Sequence, residues 1–327
     1  MQYIMKKTTE LSKHEKEEIC ALFKRSFNSD LPLEVFENIY AKAYTGYSYH
    51  SLMIENNDVV GFLSAIPFKY SFFDKECIFA MPANWMIDKK YRGKMIHFYS
   101  IGNLLFDILK KEGISFIYAC PRDYIKKLYE KVLGLKEFGN IYFYVLPIHI
   151  GTLNKKYEML NLLSKSFASI VNTIPKSLNK LRTVNFKYNI EKINDNKFLN
   201  HRYNFYPINY NIIPVNQQSF FVYTMESFFP FQALETINKA IIIDVYPLEK
   251  KLLESAVKYI YDNNPYLDVI LYMGNLNFKP INLYRVPKAF DTEKFCLAGK
   301  LLRDDIIDER IFTIKNWNIN LSNIDIF

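Results

Sequence analysis

Residues 86–97 read Met86-Ile87-Asp88-Lys89-Lys90-Tyr91-Arg92-Gly93-Lys94-Met95-Ile96-His97. Two patterns meet here. Cys77–Ile87 is an apolar-rich run of strand length, and Lys94–Lys111 places Ile101, Leu104, Leu105 and Ile108 at helical spacing. Between them lies the polar loop 88–93. A helix that starts at the end of a strand presents unpaired N–H groups and a partial positive charge there, which suits an anion such as a pyrophosphate; a solvated basic turn before a helix is the other reading. Arg92 and Lys94 add cationic donors, and Gly93 lets backbone come close to a phosphate.

Working outward, the same half alternates strands and helices. Upstream the pattern predicts a strand at Tyr3–Lys6 and a helix over Lys13–Phe27, with Ser12 as N-cap and Glu15 at the capping-box position. A short amphipathic helix over Pro32–Ala43 follows, then strands at Tyr49–Glu55 and Val59–Tyr70 joined by the turn formers Asn56-Asn57-Asp58. Downstream, Gly113 stops the long helix, Ile114–Ala119 is a buried strand, Tyr124–Val132 a helix ended by Gly134, and Ile141–Pro147 a strand. Strands followed by strand–loop–helix–strand–helix–strand make an α/β layer fold with a mixed sheet flanked by helices.

Thr152–Leu181 reads as mostly helical, interrupted at Pro175. Beyond it, strands at Gln218–Met225, Ala240–Val245 and Leu267–Met273 and a helix over Leu248–Asp262 echo the first half in element order. The expected organisation is a domain over 1–150, a helical connector over 151–184 and a second, degenerate domain over 185–327.

Composition narrows the function classes. With 50% hydrophobic and 23% charged residues, the chain is not disordered. No apolar run reaches the roughly 18 residues needed to span a bilayer, and MQYIMKK has no apolar segment behind it to form a secretory signal. A cytoplasmic protein without integral membrane association is expected. Cys20, Cys77, Cys120 and Cys296 are scattered, with no CxxC pair and no His at ligand spacing, so neither a metal nor a disulfide framework is expected. The excess of 42 Lys+Arg over 34 Asp+Glu is dispersed in small groups without a nucleic-acid signature, so an anionic ligand rather than a nucleic acid is the expected partner.

The Ile87–Lys94 stretch resembles the acyl-CoA loop of the GNAT superfamily of N-acyltransferases. Leu128-Tyr129-Glu130-Lys131-Val132-Leu133-Gly134-Leu135 is similar to that superfamily's L-Y-E-K-L-G-F segment with one extra residue, and Asp58-Val59-Val60-Gly61-Phe62 to its V-V-G-F strand. The three landmarks stand in the superfamily's order within about residues 1–148. The resemblance implies a GNAT-like fold, with acetyl-CoA as acyl donor and a primary amine as acceptor. It places the cofactor along Met86 and Ile87 and around Arg92, Gly93, Lys94, Met95, Ile96 and His97, with the pantetheine between that strand and Ile117–Ala119. It makes Tyr129 the candidate general acid for the departing thiolate, an aromatic packed on its helix face beside Leu128 and Leu133 being the other reading. Asp88 is a candidate base or, alternatively, a loop cap. Asn84 and Trp85 are candidate acceptor contacts, and a core aromatic is the other reading of Trp85. Met95 and His97 stand where the superfamily's loop has small residues.

In the second half, Ile243-Asp244-Val245-Tyr246-Pro247-Leu248-Glu249-Lys250 runs from strand to helix without an Arg-Gly segment, so a second GNAT-like unit would bind no CoA there. The ending Trp317–Asp325 looks like the tail of GNAT proteins of surface-polysaccharide biosynthesis, which favours an amino sugar as acceptor; an edge strand is the other reading. A Fem-like aminoacyltransferase using aminoacyl-tRNA and a non-catalytic binding protein remain alternatives, and a homo-oligomer is compatible with all three.

Overall fold

In the computed structural model of the chain, residues 1–121, 123–177, 188–228, 230–287 and 295–324 are described, without the side chains of 123, 124 and 232. The strands in chain order are β1 (Gln2–Lys7), β2 (Tyr49–Glu55), β3 (Asp58–Phe72), β4 (Lys75–Ile87), β5 (Phe116–Ala119), β6 (Lys136–Pro147), β7 (Ile190–Lys192), β8 (Asn211–Pro214), β9 (Phe220–Thr224), β10 (Lys239–Tyr246), β11 (Val269–Gly274), β12 (Tyr284–Arg285) and β13 (Phe295–Leu301). The α-helices are α1 (Lys13–Phe27), α2 (Leu33–Tyr40), α3 (Met95–Lys111), α4 (Asp123–Leu133), α5 (Ile150–Leu153), α6 (Asn161–Thr173), α7 (Asn196–Leu199) and α8 (Lys250–Asn263). They form two compact units. The first comprises Met1–Gly139, Asn189–Pro207 and Phe295–Asn316, the second Asn140–Tyr188, Ile208–Lys294 and Trp317–Phe327. This division differs from contiguous halves at 1–150 and 185–327, because 189–207 and 295–316 join the first unit. The connector expected over 151–184 falls in the second unit as far as it is described, and 178–184 lies outside the described residues.

The first unit carries a mixed sheet in the order β1-β2-β3-β4-β5-β13, with β7 beside β3. β1 to β4 are antiparallel neighbours, β4 and β5 run parallel, and β13 is antiparallel to β5. The right-handed rule for parallel connections requires a crossover between β4 and β5, and α3 supplies it. Its stripe Ile101, Leu105 and Leu109 is fully buried against Leu63, Ala80 and Ile117 of the sheet, each such side chain contributing about 1.5–3 kcal/mol. α1 starts on the reciprocal Ser12–Glu15 capping box and stops at Asn28, which adopts the left-handed conformation.

The second unit has its own sheet, in which β11 is antiparallel to β6 and parallel to β10, and β9 and β8 continue antiparallel. α8 is the crossover between β10 and β11, with Leu252, Leu253, Ala256, Val257 and Ile260 in this unit's core. The segment expected to be mostly helical from Thr152 is, as far as it is described, α5, a 3-10 stretch over Lys155–Leu160, and α6. Asn154, extended in backbone, breaks the run, and its side-chain Oδ1 accepts from the Lys156 amide to cap the 3-10 stretch.

Candidate active site

The site is built where β4 and β5 part. They pair only at Phe79↔Phe116 and Ala80↔Ile117. β4 continues to Ile87 along β3, and Tyr118 and Ala119 of β5 continue along β13 through Gly299 and Ala298. The facing edges of Met81–Ile87 and Tyr118–Ala119 therefore do not pair with each other. Backbone N–H and C=O groups on such edges need partners, and an extended ligand lying between them can supply these as an added strand would.

A bulge bends β4 at this point. On β3 the register passes from Ser64 to Phe62 in two steps, while on β4 it passes from Ala83 to Met86 in three. The extra residue bends the strand and raises its twist. Asn84 sits in the left-handed region, at φ 53°, which an Asn tolerates better than most residues. Its Nδ2 donates to the Tyr40 hydroxyl at 2.6 Å, and Ser64 Oγ donates to the Ala83 carbonyl at 2.7 Å. Tyr40, on α2, is fully buried and makes the bulge's partner a rigid one. Pro82, just before the bulge, has no N–H to donate, and a strand tolerates that where one edge is unpaired.

The loop behaves as the sequence suggests, with two exceptions. Arg92 Nε donates to the Ile87 carbonyl at 2.7 Å, tying the loop to the strand end while the rest of its side chain stays exposed. Gly93 has φ 90° and open space where a Cβ would stand. Lys94 is the N-cap of α3, and no side chain caps that helix. Among the described residues no acceptor is found for the amides of Lys94, Met95 and Ile96. Met95 and Ile96 are exposed, at 54% and 59%, so neither side chain plugs the loop.

The first exception is His97. Its ring turns into the protein, with Nδ1 at 2.6 Å from the Tyr3 hydroxyl and the ring edge against Tyr91, and its amide donates to the Lys94 carbonyl. Burial holds its pKa below the ordinary histidine value. A phosphate-contacting role for His97 is replaced by a packing one, because the helical turn aims position 97 at β1. The second exception is Asp88, whose Oδ2 lies 3.1 Å from Arg25 Nε and whose Oδ1 accepts from the Lys90 amide. Both oxygens are engaged within the first unit, an arrangement that fits a loop cap.

Tyr129 and Trp85 come together. Trp85 projects from the bulge on the α3 side and meets the Tyr129 ring edge-on at 5.5 Å, with Phe98 at 5.0 Å on another side. α3 admits this packing because position 102 is glycine: a Cβ there would stand 2.2 Å from Leu133 Cδ2 and 3.6 Å from Trp85 Cη2. Trp85 is thus half-buried core, and Asn84, on the other side of the strand, is engaged with Tyr40. Of the predicted residues, Met86 and Ile87 lie at the end of β4 where it no longer pairs with β5, and Arg92, Gly93, Lys94, Met95 and Ile96 follow through the loop into the start of α3; Tyr129 meets Trp85. Sequence reasoning missed Tyr40, Ser64 and Gly102; a proline and an asparagine two apart inside a strand were the available signal for the bulge. Thiol chemistry is disfavoured, since burial pushes Cys20 up to about 11 and Cys77 up to about 12.

The second unit shows the same kind of gap, but filled. β10 and β11 pair from Lys239↔Val269 to Ile242↔Tyr272, then part after a register shift at Ile242/Asp244. The chain's ending lies against both lips: Asn320 forms a bridge with Gly274 of β11, and its Nδ2 donates to Asp244 Oδ1 of β10 at 2.9 Å. The Asn275 amide also donates to the Ile319 carbonyl. The tail, described as far as residue 324, is therefore a buried insert with Trp317 fully enclosed, not an edge strand.

No known family profile matches the chain, and no characterised protein matches it in sequence. Solved structures do match in fold. A protein from Enterococcus faecalis V583 described as a "Probable N-Acyltransferase" superposes with TM-score 0.58 at 13% identity, over 92% of this chain and 73% of its own. A GCN5-related N-acetyltransferase from Anabaena variabilis ATCC 29413 gives 0.55 at 12% identity, over 92% and 73%. One from Kribbella flavida gives 0.55 at 10%, over 91% and 71%. The chain shares the mixed α/β fold of these three proteins.

Proposed function

We propose that the first unit is an acyl-CoA-dependent N-acyltransferase that transfers an acyl group, acetyl in our reading, to a primary amine. The observation that carries this is the opened edge between β4 and β5 leading to the uncapped start of α3. The fit is chemical as well as spatial. A diphosphate needs several donors, and the amides of Lys94, Met95 and Ile96 have none of their own acceptors to give up, while Arg92 and Lys94 supply positive charge. The pantetheine arm carries amides that suit the edge at Met86 and Ile87.

In the transfer, the amine nitrogen attacks the thioester carbonyl, the C–S bond breaks, and the thiolate takes a proton. Tyr129 is the residue we assign to giving that proton, and its contact with Trp85 fixes the ring relative to the bulge. With Asp88 held in the loop, the amine's proton leaves through water. The acceptor in this reading is an amino sugar, as in surface-polysaccharide biosynthesis, a reading that rests on the tail resemblance. We read the second unit as a GNAT-like relative of the first that takes no CoA, because Asn320 engages both lips of its gap.

The test is a calorimetric titration of the full chain with acetyl-CoA. Binding that weakens on Arg92→Ala and Lys94→Ala is expected. Absence of binding at millimolar ligand by the folded protein overturns the reading.

A further inference from the structure

The second unit bears an apolar surface that its fold leaves largely exposed, with Phe167 in a ring contact to Tyr284 at 5.4 Å. Seven of the sixteen exposed large hydrophobic residues among those described fall within 159–174. On α6 and its C-cap, Leu163, Phe167, Ile170 and Ile174 recur at i, i+4, i+7 and i+11, so they form one stripe, and all are 43% exposed or more. Leu162 and Met159 flank it at 79% and 96%. The helix already buries Ala168, Val171 and Asn172 on its other side, so the stripe is a second apolar face where a surface helix ordinarily turns polar.

The charges around it select the occupant. From 155 to 176 the chain carries Lys155, Lys156, Lys165 and Lys176 against Glu158 alone, all exposed, and none of the five is in an ion pair among the described residues. A second copy of this chain packed here would set one cationic surface against another. An anionic surface would instead gain from Lys155, Lys156 and Lys176, which bracket the stripe in sequence, whereas Lys165 lies on the other side of α6. With 13 residues, α6 is about 20 Å long, too short to cross a bilayer but suited to lying in its headgroup plane.

We propose that residues 159–174 dock this unit on an anionic lipid bilayer, with the Leu163–Phe167–Ile170–Ile174 stripe in the acyl boundary and Lys155, Lys156 and Lys176 at the phosphates. The proposal is independent of the acyl-transfer reading, and its test uses no activity. The full chain is sedimented with vesicles of phosphatidylcholine alone and with vesicles of equimolar phosphatidylcholine and phosphatidylglycerol. Binding to the anionic vesicles is expected, weakened by salt because exposed charges are screened. The double variant Leu163→Ser/Ile170→Ser removes two exposed side chains, and its fold is checked by circular dichroism. It is expected to bind at least about tenfold more weakly, and Lys155→Gln/Lys156→Gln is expected to lose the preference for anionic vesicles. Failure of the folded wild-type chain to bind them, or equal binding by the folded double variant, overturns the proposal. A wild-type dimer in solution that the double variant converts to monomer also overturns it, in favour of a second copy as occupant.

Discussion

Asn84 offers the sharpest test of how the site is opened, because two substitutions separate its two contributions. Asn84→Ala places an ordinary Cβ at φ 53°, which costs about 1–2 kcal/mol. It also removes the 2.6 Å bond to the buried Tyr40 hydroxyl; that hydroxyl keeps Ser64 Oγ at 3.3 Å, so the loss is about 1 kcal/mol and not the full desolvation cost. Asn84→Gly removes the same bond without the strain. Alanine should therefore destabilise by about 2–3 kcal/mol and glycine by about 1. Urea denaturation with unchanged slope measures both, and Tyr40→Phe closes a double-mutant cycle with a coupling of about 1 kcal/mol. If the bulge opens the gap, both variants should also raise KM for the acyl donor, alanine more than glycine, because a register slip lets β4 and β5 pair further. An alanine variant as stable as the glycine variant would refute the left-handed bulge. Zero coupling with Tyr40 would refute the clamp.

Three more outcomes are expected. Gly102→Ala should cost about 1–3 kcal/mol through overpacking against Leu133 and should lower kcat by displacing α4; thermal unfolding and kinetics together check it, and an unchanged melting point would mean that Leu133 simply moves aside. Tyr129→Phe, which keeps the ring against Trp85, should lower kcat about a hundredfold with little change in stability, as loss of a general acid does; an unchanged rate would remove Tyr129 from the mechanism. Burial holds His50 neutral down to about 3 and His201 down to about 4. Above the ordinary histidine pKa of about 6.5 neither form of the protein binds the extra proton, whereas below it the unfolded chain does and the folded chain does not. Stability should then fall with pH by about 1.4 kcal/mol per unit for each histidine, and His50→Gln should make that fall shallower between about pH 6 and pH 4. An identical slope in the variant would show that His50 is not held neutral.

Much of the local structure was legible because its determinants are local. The Ser12–Glu15 capping box, the stripe on α3 and the turn at Asn56-Asn57 are each set by residues within a few positions of one another. The loop at 88–93 also read correctly as a polar turn before a helix whose amides stay open. His97 and Asp88 did not, since what decides them lies far along the chain: Tyr3 takes the one and Arg25 the other.

The amino-acid sequence by itself determined which segments are strands and helices in the first half, and which amides would stand open at Lys94–Ile96. Only the tertiary structure decided that β4 and β5 part after Ala80, that Phe295–Leu301 rather than β4 pairs with the end of β5, and that residues 189–207 and 295–316 return to the first unit. The reason is physical. Periodicity records which face of a segment is buried, but strand pairing is a choice of hydrogen-bond partner among edges that look alike. Here that choice turns on one extra residue at Asn84 and on the distant hydroxyls of Tyr40 and Ser64.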